Sequence, residues 1–273
     1  MKLYPRLFLA IWLLSPTVPA AAENPRPEYP TAEIPAGALV PAAGGPVAGV
    51  TDGDTLTLAD GREIRLVGIQ APKLPLGRPG FQAWPLAVEA KRFLEEITRG
   101  ETLTLGYGGR RGDRHGRVLA HLFDTQGRWV QGEILRAGLA RVYSFADNRA
   151  VIAEMLALER AARAARRGIW ADPFYAVRDA AAAGGFLGGF ELVEGRVFAV
   201  GRGGGNTYLN FAEDWREDFT IVVDRRARRL FEEQGVDVAG YEGKSVRVRG
   251  WLKAHNGPMI DVTHPEQIEL LED

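Results

Sequence analysis

The chain has no cysteine in its 273 residues, so neither a disulfide nor a lipid-modified cysteine is available to it. It also lacks an apolar run of the roughly 20 residues that a membrane-spanning helix requires. The run Leu7 to Leu14 is too short, and Pro16 and Pro19 interrupt the chain beyond it. Net charge is small: 34 Lys+Arg stand against 35 Asp+Glu, for −1 at pH 7. Overall charge alone therefore does not mark a general nucleic-acid binder.

What is present begins with Lys2 and Arg6 ahead of the apolar run and the small residues Ala20-Ala21-Ala22 behind it. This is the pattern of a signal peptide over residues 1–22, with an uncleaved anchor as the alternative. The expectation is a periplasmic or secreted protein with no membrane span after cleavage. Residues 23–45 are rich in Pro, Ala and Gly without an apolar period and read as a tether without fixed structure.

A first domain is expected over 46–175. Residues 47–50, 55–58 and 63–69 read as strands, the last two joined at the turn signal Asp60-Gly61. Pro85 opens a helix in which Leu86, Ala90, Phe93, Leu94 and Ile97 share one face, and Gly100 ends it. Strands at 101–105 and 117–123 and helices at 130–136 and about 149–167 come next. Five short strands with a helix between the third and fourth is the order of an OB-fold barrel. After a linker at 176–190, residues 191–273 repeat that order, with strands at 192–200, 207–211, 219–223, 245–252, 258–262 and 267–271 and a helix at 225–234. The fold class expected is mainly β with helices (α+β), an OB-fold barrel followed by a second OB-like barrel.

Charge is divided unevenly between the halves. Residues 46–175 hold 19 Lys+Arg and 15 Asp+Glu, whereas 191–273 hold 11 and 16. The acidic half is therefore expected to meet a protein partner, although Tyr208, Phe211 and Trp215 offer a stacking face as an alternative. Its glycine-rich stretch GRGGGNTYLNF lies between two strands, without the helix a phosphate loop needs, and reads as a hairpin tip.

Four short motifs carry the chemistry: Asp52-Gly53-Asp54-Thr55, the strand with Arg65, Gln70-Ala71-Pro72-Lys73, and Asp113-Arg114-His115-Gly116-Arg117. Taken singly, the first is an Asx turn and the last a solvated basic loop. In this order, with Arg166-Arg167-Gly168-Ile169-Trp170 closing the long helix, they resemble the staphylococcal-nuclease or thermonuclease family over residues 46–173. The resemblance implies an OB-fold of the thermonuclease type, hydrolysis of DNA and RNA phosphodiesters, and one calcium ion. By position it makes Asp54 a metal carboxylate and Arg65 and Arg117 phosphate clamps. Asp52, beside Asp54, and Asp113, in the arginine-rich loop, read as outer supports or, for Asp52, a turn residue. The second metal carboxylate falls at Gln70 and the water-orienting glutamate at Lys73.

Calcium takes six to eight oxygen ligands, and replacing two acids by an amide and an ammonium shifts the site by three charges towards positive. The expectation is a site without a cofactor in which Arg65, Lys73 and Arg117 bind nucleic acid or another phosphate-bearing ligand, with hydrolysis weak or absent. A calcium-dependent endonuclease with a rearranged site is the alternative, its base drawn from Asp52, Glu63 or Asp113. An envelope scaffold that contacts proteins through both barrels is a further one.

Overall fold

The computed structural model describes residues 34–271. The expected signal peptide and the first part of the expected tether lie outside them. The remainder of that tether is not structureless: β1 (Val40–Asp52) begins at Val40, and Ile34, Ala38 and Leu39 pack against the first core. The Pro/Ala composition conceals a strand because its partner, β5 (Thr102–Tyr107), is distant in sequence.

β1 pairs with β5 through its first half and with β2 (Thr55–Leu58) through its second. β2 pairs with β3 (Glu63–Leu66), and β3 runs parallel to β6 (Val118–Phe123), which returns to β5. The result is a closed five-stranded barrel, the expected OB arrangement. The strand expected over 63–69 divides at Val67-Gly68. Gly68 adopts φ +84°, open to glycine at little steric cost, and the chain turns off the barrel into β4 (Gly68–Gln70). β4 pairs with β7 (Arg141–Tyr143), a strand the sequence pattern did not reveal.

α1 (Ala87–Thr98) starts two residues after Pro85 and buries Ala90 and Leu94 on the barrel. α2 (Val130–Arg136) and α3 (Ile152–Ala164) complete the first core. Replacing fully buried Leu94 by alanine would cost about 2–5 kcal/mol on general grounds.

The expected linker at 176–190 is folded. β8 (Arg178–Asp179) joins a sheet with β9 (Phe190–Arg196), and the 3-10 segment Ala180–Phe186 buries Ala180 and Ala183 in the second core. Alanine and glycine there permit close packing rather than flexibility. β10 (Ala199–Gly203), β11 (Asn206–Asn210), β12 (Thr220–Val223), α4 (Arg225–Glu233), β13 (Ser245–Trp251), β14 (Lys253–Ala254), β15 (Pro258–Val262) and β16 (Ile268–Leu270) complete the chain order.

Instead of one closed barrel, the second half forms two sheets, β10-β11-β12-β15-β14 and β16-β13-β9-β8. β9 passes into β10 at Val197 and β13 into β14 at Leu252, both about 1% exposed. Burying these corner side chains interrupts the ladders. Traced across the breaks, the strand order is that of the first barrel, including a parallel β12–β15 pair.

The described residues form one compact unit. A buried ion pair fastens its halves: Arg249 of β13 donates from Nη1 and Nη2 to the two carboxylate oxygens of Glu159 on α3, both at 2.9 Å, and bonds Glu269 at 2.6 Å. Arg249 also donates to the Val142 carbonyl at 3.2 Å. Glu159 is fully buried and bonds Arg163 at 2.7 Å.

Candidate functional site

Two sharp backbone features bring the motif residues together, the bend at Gly68 between β3 and β4 and the turn between β1 and β2. The β1–β2 turn holds Asp52 and Asp54, with the Asp54 amide donating to Asp52 Oδ1 at 3.1 Å. Gly53 in this turn lies so close to α1 that a Cβ would stand 2.7 Å from the Cβ atoms of Ala71 and Ala90. Only glycine allows that approach, which buries Asp54 completely.

Both Asp54 oxygens are occupied by cations and amides. Lys73 Nζ lies 2.7 Å from Oδ1 and 2.6 Å from Oδ2. The Ala71 amide donates to Oδ2 at 2.8 Å, Thr55 Oγ1 to Oδ1 at 3.3 Å, and Arg65 Nη2 stands 3.4 Å from Oδ2. Burial pushes the Asp54 pKa up, but the Arg65 and Lys73 charges prevail and hold it at about 2. Asp52 goes the other way: burial first and the Asp54 charge second raise it, although Lys73 lies 3.3 Å away. The Lys73 ammonium therefore sits between the two aspartates as their shared counter-ion.

Gln70 is buried, and its Oε1 accepts from Arg141 Nε at 2.9 Å. Arg141, only 4% exposed, is enclosed by aromatic rings, with Phe190 at 4.8 Å, and burial lowers its pKa to about 10. The amide thus serves a buried guanidinium at a position where a ligand carboxylate would be needed. These donors do not fit a calcium ion. The Asp54 oxygens are committed to an ammonium and to N–H groups, Gln70 to Arg141, and an ammonium occupies the remaining acidic position. Among the described residues no group of three or more His, Cys, Asp or Glu is placed to hold a metal.

Arg65 and Arg117 line one cleft of about 460 Å³, together with Arg110, Arg114, Tyr143 and Phe145. Arg65 is oriented by carbonyls on either side of the bend between β3 and β4: Nη1 donates to the Leu66 carbonyl at 2.5 Å and Nη2 to the Ile69 carbonyl at 2.6 Å. Arg117 is held by Asp113, whose Oδ2 accepts from Nε at 2.8 Å and whose Oδ1 accepts from the Arg117 and His115 amides at 3.0 and 2.8 Å. Burial raises the Asp113 pKa, but these bonds bring it below the usual carboxylate range. The cleft sets four guanidinium groups against two carboxylates, Asp113 and Asp147.

Lys73 is not part of this lining, which corrects its expected place among the phosphate contacts: the buried aspartates attract the ammonium inward. Asp113 and Asp52 are each tied to a cation, and Glu63 lies on the exposed edge of β3, outside the cleft lining. Phe81 and Trp84 pack with Arg78 and Phe174 in the loop before α1 rather than in the cleft. The far wall, Tyr143 to Asn148, carried no recognisable motif. Its place depends on the β4–β7 pairing, and only the alternation around Arg141 to Tyr143 hinted at a strand.

The model of the staphylococcal nuclease homologue family matches residues 63–172. That segment includes Arg65, Gln70, Lys73, Asp113 and Arg117. Asp52 and Asp54 precede it and join the site through the barrel. An uncharacterized endonuclease of Escherichia coli is 33% identical over 131 residues, spanning 47% of this chain and 77% of that protein. Protein ParB of Escherichia coli is 31% identical over 142 residues, 47% of this chain and 73% of its own length. A Bacillus anthracis protein is 29% identical over 136 residues, 46% and 60% respectively. With a barrel of the expected order, Arg65 and Arg117 lining one cleft, and a relative 33% identical that is covered over 77% of its length, the chain belongs to the staphylococcal nuclease homologue family.

Proposed function

We propose that the chain binds a phosphodiester chain in the arginine-lined cleft without a metal and hydrolyses it weakly or not at all. The observation that carries this reading is the Lys73 ammonium at 2.6 and 2.7 Å from the two oxygens of Asp54. A cation so placed neutralises the carboxylate that a calcium ion would need, while Arg65, Arg110, Arg114 and Arg117 keep the cleft attractive to an oxyanion. Guanidinium groups suit the task because their planar fork is permanently charged and grips two oxygens at once. The leader-like residues 1–22 support exercising this binding outside the cytoplasm.

The endonuclease name of the Escherichia coli relative favours a second reading, calcium-dependent cleavage. One experiment separates the two. Labelled oligonucleotides and plasmid are incubated with the protein in calcium and in EDTA, alongside a Gln70→Asp/Lys73→Glu variant. The expected result is salt-sensitive binding unchanged by EDTA, no metal-dependent cleavage by the natural chain, and calcium binding with gain of cleavage in the variant. Calcium-dependent cleavage by the natural chain, abolished by Asp54→Ala, would overturn the proposal.

A further inference from the structure

The cleft does not end at the first half. The middle of its far wall, Phe145 to Asp147, is also one wall of a second groove of about 490 Å³, whose other wall is α4 with Arg226 and Arg229. The two grooves share Phe145 and Asp147. Phe145 is 49% exposed at this junction, and an edge-on contact with Tyr143 at 4.9 Å supports its ring. Tyr143 in turn meets Phe190 at 4.8 Å. An exposed aromatic ring on a stiff support between two arginine-bearing grooves is a platform for a flat ligand.

The second half fixes this wall in place. Ser144 Oγ and His264 Nε2 are 2.8 Å apart, Arg149 bonds Glu266 through Nη2 at 2.8 Å and Nε at 3.0 Å, and Trp251 Nε1 donates to the Tyr143 hydroxyl at 3.0 Å. The wall is thus held at both ends by the half that carries α4.

Charge points to the class of ligand. The second half is acidic as a whole, but four of its 11 basic residues lie within the nine residues of α4: Arg225, Arg226, Arg228 and Arg229. Arg226 and Arg229 are exposed, and among the described residues neither has an acidic partner within ion-pair distance. Of the groove's three carboxylates, Asp224 caps α4 by accepting from the Ala227 amide at 2.7 Å, Asp147 stands 3.9 Å from Arg110, and Glu233 lies at the far end of the helix. Available guanidinium groups thus continue beyond the cleft past an exposed ring.

Resting on the phosphodiester-binding reading above, we infer that the two halves form one track for single-stranded nucleic acid, with a base stacked on Phe145 and the phosphates beyond it met by Arg226 and Arg229. The stacking ring selects a single strand, because paired bases present no free face. The second half is then part of the binding surface, in place of the protein-docking role its net charge suggested.

The test is fluorescence anisotropy in EDTA, with the full chain and two labelled single strands of about 4 and about 16 nucleotides, short enough for the cleft alone and long enough for both grooves. The long strand is expected to bind more tightly and with a steeper salt dependence. Arg226→Glu/Arg229→Glu is expected to weaken the long strand at least tenfold and flatten its salt slope by about 1.4, at roughly 0.7 per phosphate contact, while leaving the short strand unchanged. That unchanged binding also reports a folded protein. Phe145→Ala is expected to weaken the long strand at least fivefold, and a long duplex is expected to bind less tightly than the single strand. Arg117→Ala is expected to weaken both lengths.

Equal affinity for the two lengths, or an Arg226→Glu/Arg229→Glu variant that retains long-strand affinity while Arg117→Ala loses it, would overturn the shared track and leave the cleft reading standing. A long strand that depends on Arg226 and Arg229 but tolerates Phe145→Ala would overturn the stacking step. No binding of either length at low salt would overturn the cleft reading and the track together.

Discussion

Lys73 decides the character of the site because its ammonium, with the Arg65 guanidinium, lets Asp54 remain charged without contact with water. Asp54 has a folded-state pKa of about 2, below the ordinary 3.8. Its ionised form therefore contributes stability that is fully present above pH 3.8 and is lost as pH falls through 2. Lys73→Met should cost about 1–2 kcal/mol near neutrality, with the difference from the natural chain shrinking between pH 4 and pH 2. Denaturant unfolding across that range checks it, and a constant difference would assign the role of Lys73 to packing. Gln70 shows the same logic in neutral form: its carbonyl meets buried Arg141, so the position holds β4 to β7 instead of a metal.

At the scale of elements, β7 is short but central. One end carries Arg141 against Gln70, and the chain leaving the other end forms the wall of the cleft. Its middle residue, Val142, gives its carbonyl to Arg249, and its amide bonds Glu159. The Glu159–Arg249 pair on α3 and β13 is therefore both a fastening between halves and a support for the site. Breaking it on one side, by Glu159→Gln or Arg249→Met, should cost about 3 kcal/mol because the charge that stays buried keeps only its second partner, Glu269 for Arg249 or Arg163 for Glu159. The double variant Glu159→Leu/Arg249→Met should recover part of that loss, measured as non-additivity in a double-mutant cycle. Additive costs would mean that the two side chains act separately.

For the whole molecule, the fastening between halves predicts one cooperative unfolding transition, with calorimetric and van't Hoff enthalpies in agreement. Between pH 6.5 and pH 4 its pH dependence is expected from two buried histidines, His121 in the first core and His264 at the seam. Burial lowers their pKa values to about 3 and about 4. The unfolded chain takes up these protons near pH 6.5 while the folded chain does not, so stability must fall as pH drops from 6.5 towards 4. The expected loss is on the order of 2 kcal/mol for each histidine. His264→Gln should flatten the dependence of melting temperature on pH over that interval, and an unaltered slope would exclude His264 as its source.

Much of the first barrel was legible in the sequence. Leu56, Leu58, Ile64 and Leu66 alternate as strands require, and the motif order assigned Arg65 and Arg117 to one site, where both line the same cleft. The second half was legible as strand order but not as closure, because burying Val197 and Leu252 turns the chain at corners that periodicity does not mark. The folded linker and the described part of the tether were hidden for a related reason: Ala and Gly signal flexibility only when nothing packs against them.

The sequence by itself determined which charges the site possesses, since replacing two acids by Gln70 and Lys73 needs no coordinates to count. Tertiary structure alone decided where those charges go. A buried carboxylate draws the nearest ammonium inward, which takes Lys73 out of the cleft, and a pairing between residues 71 positions apart sets Arg141 against Gln70. Long-range contacts of this kind also bring α4 of an acidic half beside the arginines of the first, an arrangement fixed by packing rather than by any local pattern.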